Sequence, residues 1–171
     1  MPHARSIVLA NHDFAHQRLA EVIGDCPPEL LLKLPEGSTA NPIGATYAHA
    51  LFVEDQLVHG MVRGGPTIFE GGGWAERTGV QMHGAGQDRE WALGVRLSLA
   101  PFTEYAASVR AATVAYLEGA TDAEFERQVE MPGGAMSALG VVATVAWHLG
   151  FHTGEISALK GTEGLRGFPF L

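Results

Sequence analysis

A single cysteine, Cys26, stands in the whole sequence, so neither a disulfide framework nor a C-x-x-C pair is available. With Pro27-Pro28 behind it, Cys26 reads as a small, half-buried apolar residue rather than a nucleophile. Basic residues are also scarce: Lys and Arg number 11 against 19 Asp and Glu, a formal net charge of −8. A surface of that sign repels phosphate, which argues against a nucleic acid partner. Long apolar runs are missing. The most apolar one, Ala138 to Phe151, falls short of the ~20 residues that span a bilayer and carries His148. The N-terminal segment is interrupted by His12, Asp13 and His16 and has no signal-peptide centre. A soluble, cytoplasmic protein with no membrane partner is therefore expected. No Walker lysine is present, and Gly84-Ala85-Gly86 lacks the strand, third glycine and helix of a dinucleotide fingerprint.

What is there is a chain of 171 residues, 46% hydrophobic, enough for one domain over residues 1–171 with a real core. The apolar pattern predicts four amphipathic helices and hence an all-α fold, a four-helix bundle. Helix 1 runs from Ala4 to about Gly24 with Val8, Ala15, Leu19, Val22 and Ile23 on one arc, and His12 and His16 inside or beside it. A loop over Pro35-Glu36-Gly37-Ser38 precedes helix 2, which Asn41 should cap with Pro42 at the first helical position. Helix 2 then runs to about Val62, stopped by Gly64-Gly65-Pro66. From Arg63 to Ser98 the periodicity dissolves into glycine clusters and aromatics. An irregular connection with one helical turn near Asp88 to Leu93 is expected, serving as a lid or pocket wall. Helix 3 starts near Ser98 to Pro101 and reaches Glu118, with Phe102, Tyr105, Val109, Ala112 and Tyr116 on one face. A connector at Gly119 to Asp122, an extended piece from Glu126 to Met131 and a turn at Pro132-Gly133-Gly134 lead to Ser137, the expected cap of helix 4. Leu165 to Leu171 reads as a short apolar tail.

Helix 4 carries the densest chemistry. His148 and His152 are one turn apart, about 40° in azimuth and roughly 6 Å along the axis, so both rings can converge on one ion. Val141, Thr144, Val145, Glu155 and Leu159 share their stripe, which predicts that both histidines lie in the buried seam. Helix 1 offers a second H-x-x-x-H pair, His12 and His16, and spacing alone does not choose between them. His49 falls on the inward stripe of helix 2 with Ala45, Thr46, Phe52, Val53 and Gln56, and can add a third imidazole to His148 and His152. Three neutral imidazoles suit Zn, Ni or Fe(II) and leave a coordination position open. Glu54 sits about 140° around the helix from His49, which removes it from the same ion. Gln56 could line the pocket, and Glu155 could orient a ligand. A di-iron carboxylate site is excluded because E-x-x-H does not occur twice.

The stretch H-x-x-x-H-T-G-E-I-S-A-L-K-G from His148, the segment Tyr47-Ala48-His49-Ala50-Leu51-Phe52-Val53-Glu54 and the end Gly164-Leu165-Arg166-Gly167-Phe168-Pro169-Phe170 resemble the DinB-like (YfiT-like) superfamily. The resemblance implies a four-helix bundle of up-down-down-up topology with a long irregular connection between helices 2 and 3. It also implies a homodimer, and a divalent metal held by His49, His148 and His152. For chemistry it implies transfer of a low-molecular-weight thiol cosubstrate, such as mycothiol or bacillithiol, to a small electrophilic substrate, or thiol-dependent isomerisation. His12 or Tyr105 would then act as acid/base or positioning groups, and residues 63–98 would supply substrate contacts. A metal-water hydrolase and a non-catalytic metal- or small-molecule-binding stress-response bundle are the alternatives.

Overall fold

The computed structural model describes residues 2–34, 37–84 and 88–168. Pro35 and Glu36 of the expected loop, Ala85 and Gly86 of the glycine stretch, and residues 169–171 of the expected tail lie outside the described residues. The fold is mostly helical. Its long elements are α1 (Pro2–Gly24), α2 (Ile43–Glu54) with a π-helical continuation (Asp55–Val62), α6 (Leu99–Gly119) and α8 (Ala138–Thr162). α8 packs along α1 and against α2, and α6 touches both α1 and α2.

The helix boundaries follow from local chemistry. α1 buries Val8, Ala15, Leu19, Val22 and Ile23, the arc its periodicity predicts. α2 is buried all round, as a central helix must be. It starts one residue later than expected: Pro42, at ψ 147, is the N-cap rather than the first helical residue. At Asp55 the helix loosens to π spacing, and the Arg63 amide reaches back five residues to the Val58 carbonyl at 2.9 Å. Gly64 ends it in the left-handed region, φ 66, where glycine is least strained. Ser137 caps α8 as expected, accepting from the Gly140 amide at 3.2 Å.

The long connection after the π segment is more regular than its glycine content suggests. It holds α3 (Ile68–Gly71), α4 (Trp74–Thr78) and α5 (Arg89–Gly94), where only the last was expected. A capping box starts α3: Thr67 Oγ1 accepts from the Glu70 amide while the Glu70 carboxylate accepts from the Thr67 amide. Asp55 accepts from the Ile68 and Phe69 amides at 2.7 and 2.8 Å, which ties the same turn back to α2. Phe69 and Trp74 then pack against Phe52 and Tyr105 in an aromatic cluster. Much of the stretch therefore builds core rather than hanging over a pocket as a lid.

Two further departures occur before and at the end of α8. Residues expected as a connector form α7 (Asp122–Glu126), capped by Thr121. The extended piece pairs as a two-residue ladder, β1 (Gln128–Val129) against β2 (Met136–Ser137). At the far end, Lys160 is fully buried and its Nζ donates to the Val22 carbonyl at 2.7 Å and to the Asp25 carboxylate. That contact fixes the end of α8 to the end of α1. Among the described residues, no helix is long and apolar enough to cross a membrane.

Candidate metal centre

Helices α2 and α8 bring three imidazoles together. One donor nitrogen each of His49, His148 and His152 lies within 4.8 Å of the others. The His148 and His152 rings, one turn apart, meet edge to face at 4.4 Å between centroids, and His49 stands 5.2 and 5.0 Å from them. The Nε2 atoms of His148 and His152 are 3.1 Å apart. On its other side, His152 Nδ1 lies 2.8 Å from Glu155 Oε2. A carboxylate there holds the proton on Nδ1 and turns the Nε2 lone pair toward the cluster.

The seam is placed differently from the sequence expectation. The buried face of α8 runs through Val142, Val145, Leu149, Thr153 and Ile156, so its centre is displaced from the histidine stripe. His152 and His49 are buried, but His148 is half-buried and stands at the rim. Trp147 and Phe151, 69% and 62% exposed, flank it. Together with the three histidines and Glu155 they line an open cleft of about 600 Å³. An interior seam would have enclosed the site. The displaced face leaves it open to small molecules.

The electrostatics favour neutral rings. Burial lowers the pKa of His49 to about 4, helped by the neighbouring His152 and His148. Burial, then His152, lowers that of His148 to about 4. Neutral imidazoles are metal ligands, whereas imidazolium is not. The donor set, its spacing and the Glu155 contact all fit a divalent cation. The 3.1 Å nitrogen separation is near the roughly 3.3 Å between two imidazole ligands in a tetrahedral site with metal–nitrogen bonds of about 2.0–2.1 Å.

The remaining sequence candidates fall elsewhere. Glu54 points away from His49, as its azimuth requires, and bonds His12 Nε2 at 2.8 Å and His16 Nε2 at 2.7 Å. Both H-x-x-x-H pairs are therefore in use, in separate clusters. Tyr105 is buried as expected, yet its hydroxyl donates to Asp55 Oδ2 at 2.8 Å. Neither His12 nor Tyr105 lines the three-histidine cleft. Gln56 does not line it either; its amide donates to the His83 carbonyl at 2.8 Å. From the connection, His83 makes a small contribution to the depression of the His49 pKa, after burial, His152 and His148. Sequence reasoning missed Asp55 and Thr113, which bind the polar core. Thr113 Oγ1 donates to Glu54 Oε1 at 2.8 Å and lies 3.3 Å from His59 Nε2. No spacing rule points to either one.

Residues 11–156 match the family model of the DinB superfamily. The chain belongs to the DinB superfamily. The match contains both histidine clusters. A solved structure, the crystal structure of the conserved protein of locus from Enterococcus faecalis, superposes with a TM-score of 0.73 at 14% identity, covering 91% of this chain and 94% of that chain. At that identity the likeness establishes the fold alone. No curated protein matches the chain.

Proposed function

We propose that this DinB superfamily chain is a divalent-metal-dependent enzyme that activates a low-molecular-weight thiol for transfer to, or isomerisation of, a small electrophilic substrate. The observation that carries the reading is the convergence of three imidazoles, two held neutral by burial, along a cleft open to small molecules. His49, His148 and His152 hold the ion; Zn, Ni and Fe(II) all suit them. A cation bound there supplies Lewis acidity that keeps a thiol ionised at neutral pH. In the transfer reaction a sulfur–carbon bond forms, the bond from that carbon to its leaving group breaks, and the thiol proton goes to solvent. Glu155 fixes the His152 ring, while Trp147 and Phe151 give an apolar wall for the electrophile.

The same reading takes α1, α2 with its π continuation, α6 and α8 as a bundle of up-down-down-up topology in one domain. It includes a homodimer: Ile7 and Phe14 of α1, each 60% exposed, are apolar surface that a second copy would cover. Thiol consumption with an aryl halide, measured with metal-loaded and metal-stripped protein, tests the activity. Turnover that needs both metal and the wild-type His148 is expected. No turnover across small thiols and electrophiles would contradict it, and metal-dependent product release without thiol would make the protein a hydrolase instead.

A further inference from the structure

His12, His16 and Glu54 form a second convergent cluster, deeper than the first. Their side chains are 0%, 7% and 0% exposed. One donor atom from each lies within 4.8 Å of the others, and the two rings stand 4.6 Å apart. The ligand types are two imidazoles and a carboxylate, a set that suits Zn or Fe(II). Glu54 presents one oxygen to each ring, Oε1 to His12 and Oε2 to His16. Thr113 donates to Oε1 at 2.8 Å and holds the carboxylate in place, as groups behind a ligating carboxylate do. All of His12's bonding in the cluster runs through Nε2, since its Nδ1 is buried without a partner.

A carboxylate withdrawn from water needs a compensating charge. Two neutral imidazoles do not supply it. Either an imidazolium or a bound cation must. His16 also lies on the wall of a cleft between α1 and α6, about 610 Å³ in volume and bordered by Asp13 and Arg110. Of the three candidate ligands, His16 alone borders that cleft. Because Glu54 follows His49 by five positions on α2, one helix contributes a ligand to each cluster.

We infer that His12, His16 and Glu54 make a second divalent-cation site, separate from the three-histidine centre, in which the ion fastens α1 to α2. It is closed by its helices and positions no substrate. The inference does not depend on the reading of the first site.

The decisive protein is the double variant His148→Ala/His152→Ala, full length, whose changes lie on α8, outside the second cluster, and leave that cluster whole. Stripped with a chelator, confirmed helical by circular dichroism and loaded with Zn²⁺ or Co²⁺, it is expected to retain one equivalent after gel filtration. With Co²⁺ the retained ion should show visible d–d absorption. His16→Asn added to the double variant should remove that equivalent, and the bound ion should raise the melting temperature of the double variant but not of the triple. A double variant that retains no metal, or a triple variant that retains as much, would overturn the inference and leave Glu54 paired with imidazolium. Retention of the full wild-type content by the double variant, with loss on His16→Asn, would support this site while contradicting the first.

Discussion

His49 and Glu54 lie on the same helix and face different clusters: His49 stands 5.0 Å from the His152 ring, while Glu54 bonds His12 and His16 at 2.8 and 2.7 Å. Their separation of five positions turns them about 140° apart. α2, buried on every side, can therefore carry polar groups in two directions without stranding either. Each finds its histidine partners on a neighbouring helix, α8 for one and α1 for the other.

Glu155 is a positioning residue. With the Glu155→Gln substitution, a neutral amide replaces the carboxylate 2.8 Å from His152 Nδ1, and support for the Nδ1–H tautomer weakens. Loss of such an outer contact typically lowers metal affinity about 10–100-fold. Competition with a chromophoric chelator should show that drop with helix content intact. An unchanged affinity would remove the role assigned to Glu155.

Tyr105 is read from its contacts as a structural hydroxyl. Its hydroxyl donates to Asp55 Oδ2, and the same carboxylate also holds the Ile68 and Phe69 amides. Tyr105→Phe should cost about 1–2 kcal/mol in urea unfolding and leave metal content unchanged. The pH dependence has a definite sign. Burial, and then the Asp55 charge, raise the Tyr105 pKa well above its usual 10. The folded state therefore binds the proton more tightly than the unfolded state. The stability linked to it is full below about pH 10 and is lost as pH rises toward the folded value. Tyr105→Phe should flatten the alkaline fall in stability; a curve parallel to wild type would contradict this.

Much of this architecture is legible in the sequence, and the exceptions have physical causes. The arc of α1, the end of α2, the cap at Ser137 and the inward His49 follow from period and capping alone, because the apolar faces agree with the packing. The α3 and α7 starts, Thr67 with Glu70 and Thr121 with Glu124, carry capping signals that the surrounding glycines and the short helix lengths mask. The half-exposure of His148 is less accessible. It depends on which side of α8 meets α1 and α2, a tertiary fact, and the true buried face includes Lys160, which no hydrophobic pattern would select. The π turn after Glu54 likewise leaves no mark in composition. It coincides with the stretch in which Asp55, His59 and Arg63 share polar contacts.

Lys160 gives an asymmetric test of the α1–α8 contact. Lys160→Met removes the bond to the Val22 carbonyl from a buried setting and should cost about 1–3 kcal/mol. Asp25, 70% exposed at its side chain, contributes less: Asp25→Asn should cost no more than about 1 kcal/mol, since water screens that half of the pair. Equal losses in chemical unfolding would contradict the assignment of the main contact to the buried carbonyl.

Metal content of wild-type protein against His148→Ala, both purified without added metal and counted by elemental analysis, tests the three-histidine centre most directly. His148 is half-buried at the rim, so the substitution removes a ligand without emptying the core. The variant is expected to hold one equivalent less than wild type. Equal metal content in the two proteins would contradict the site.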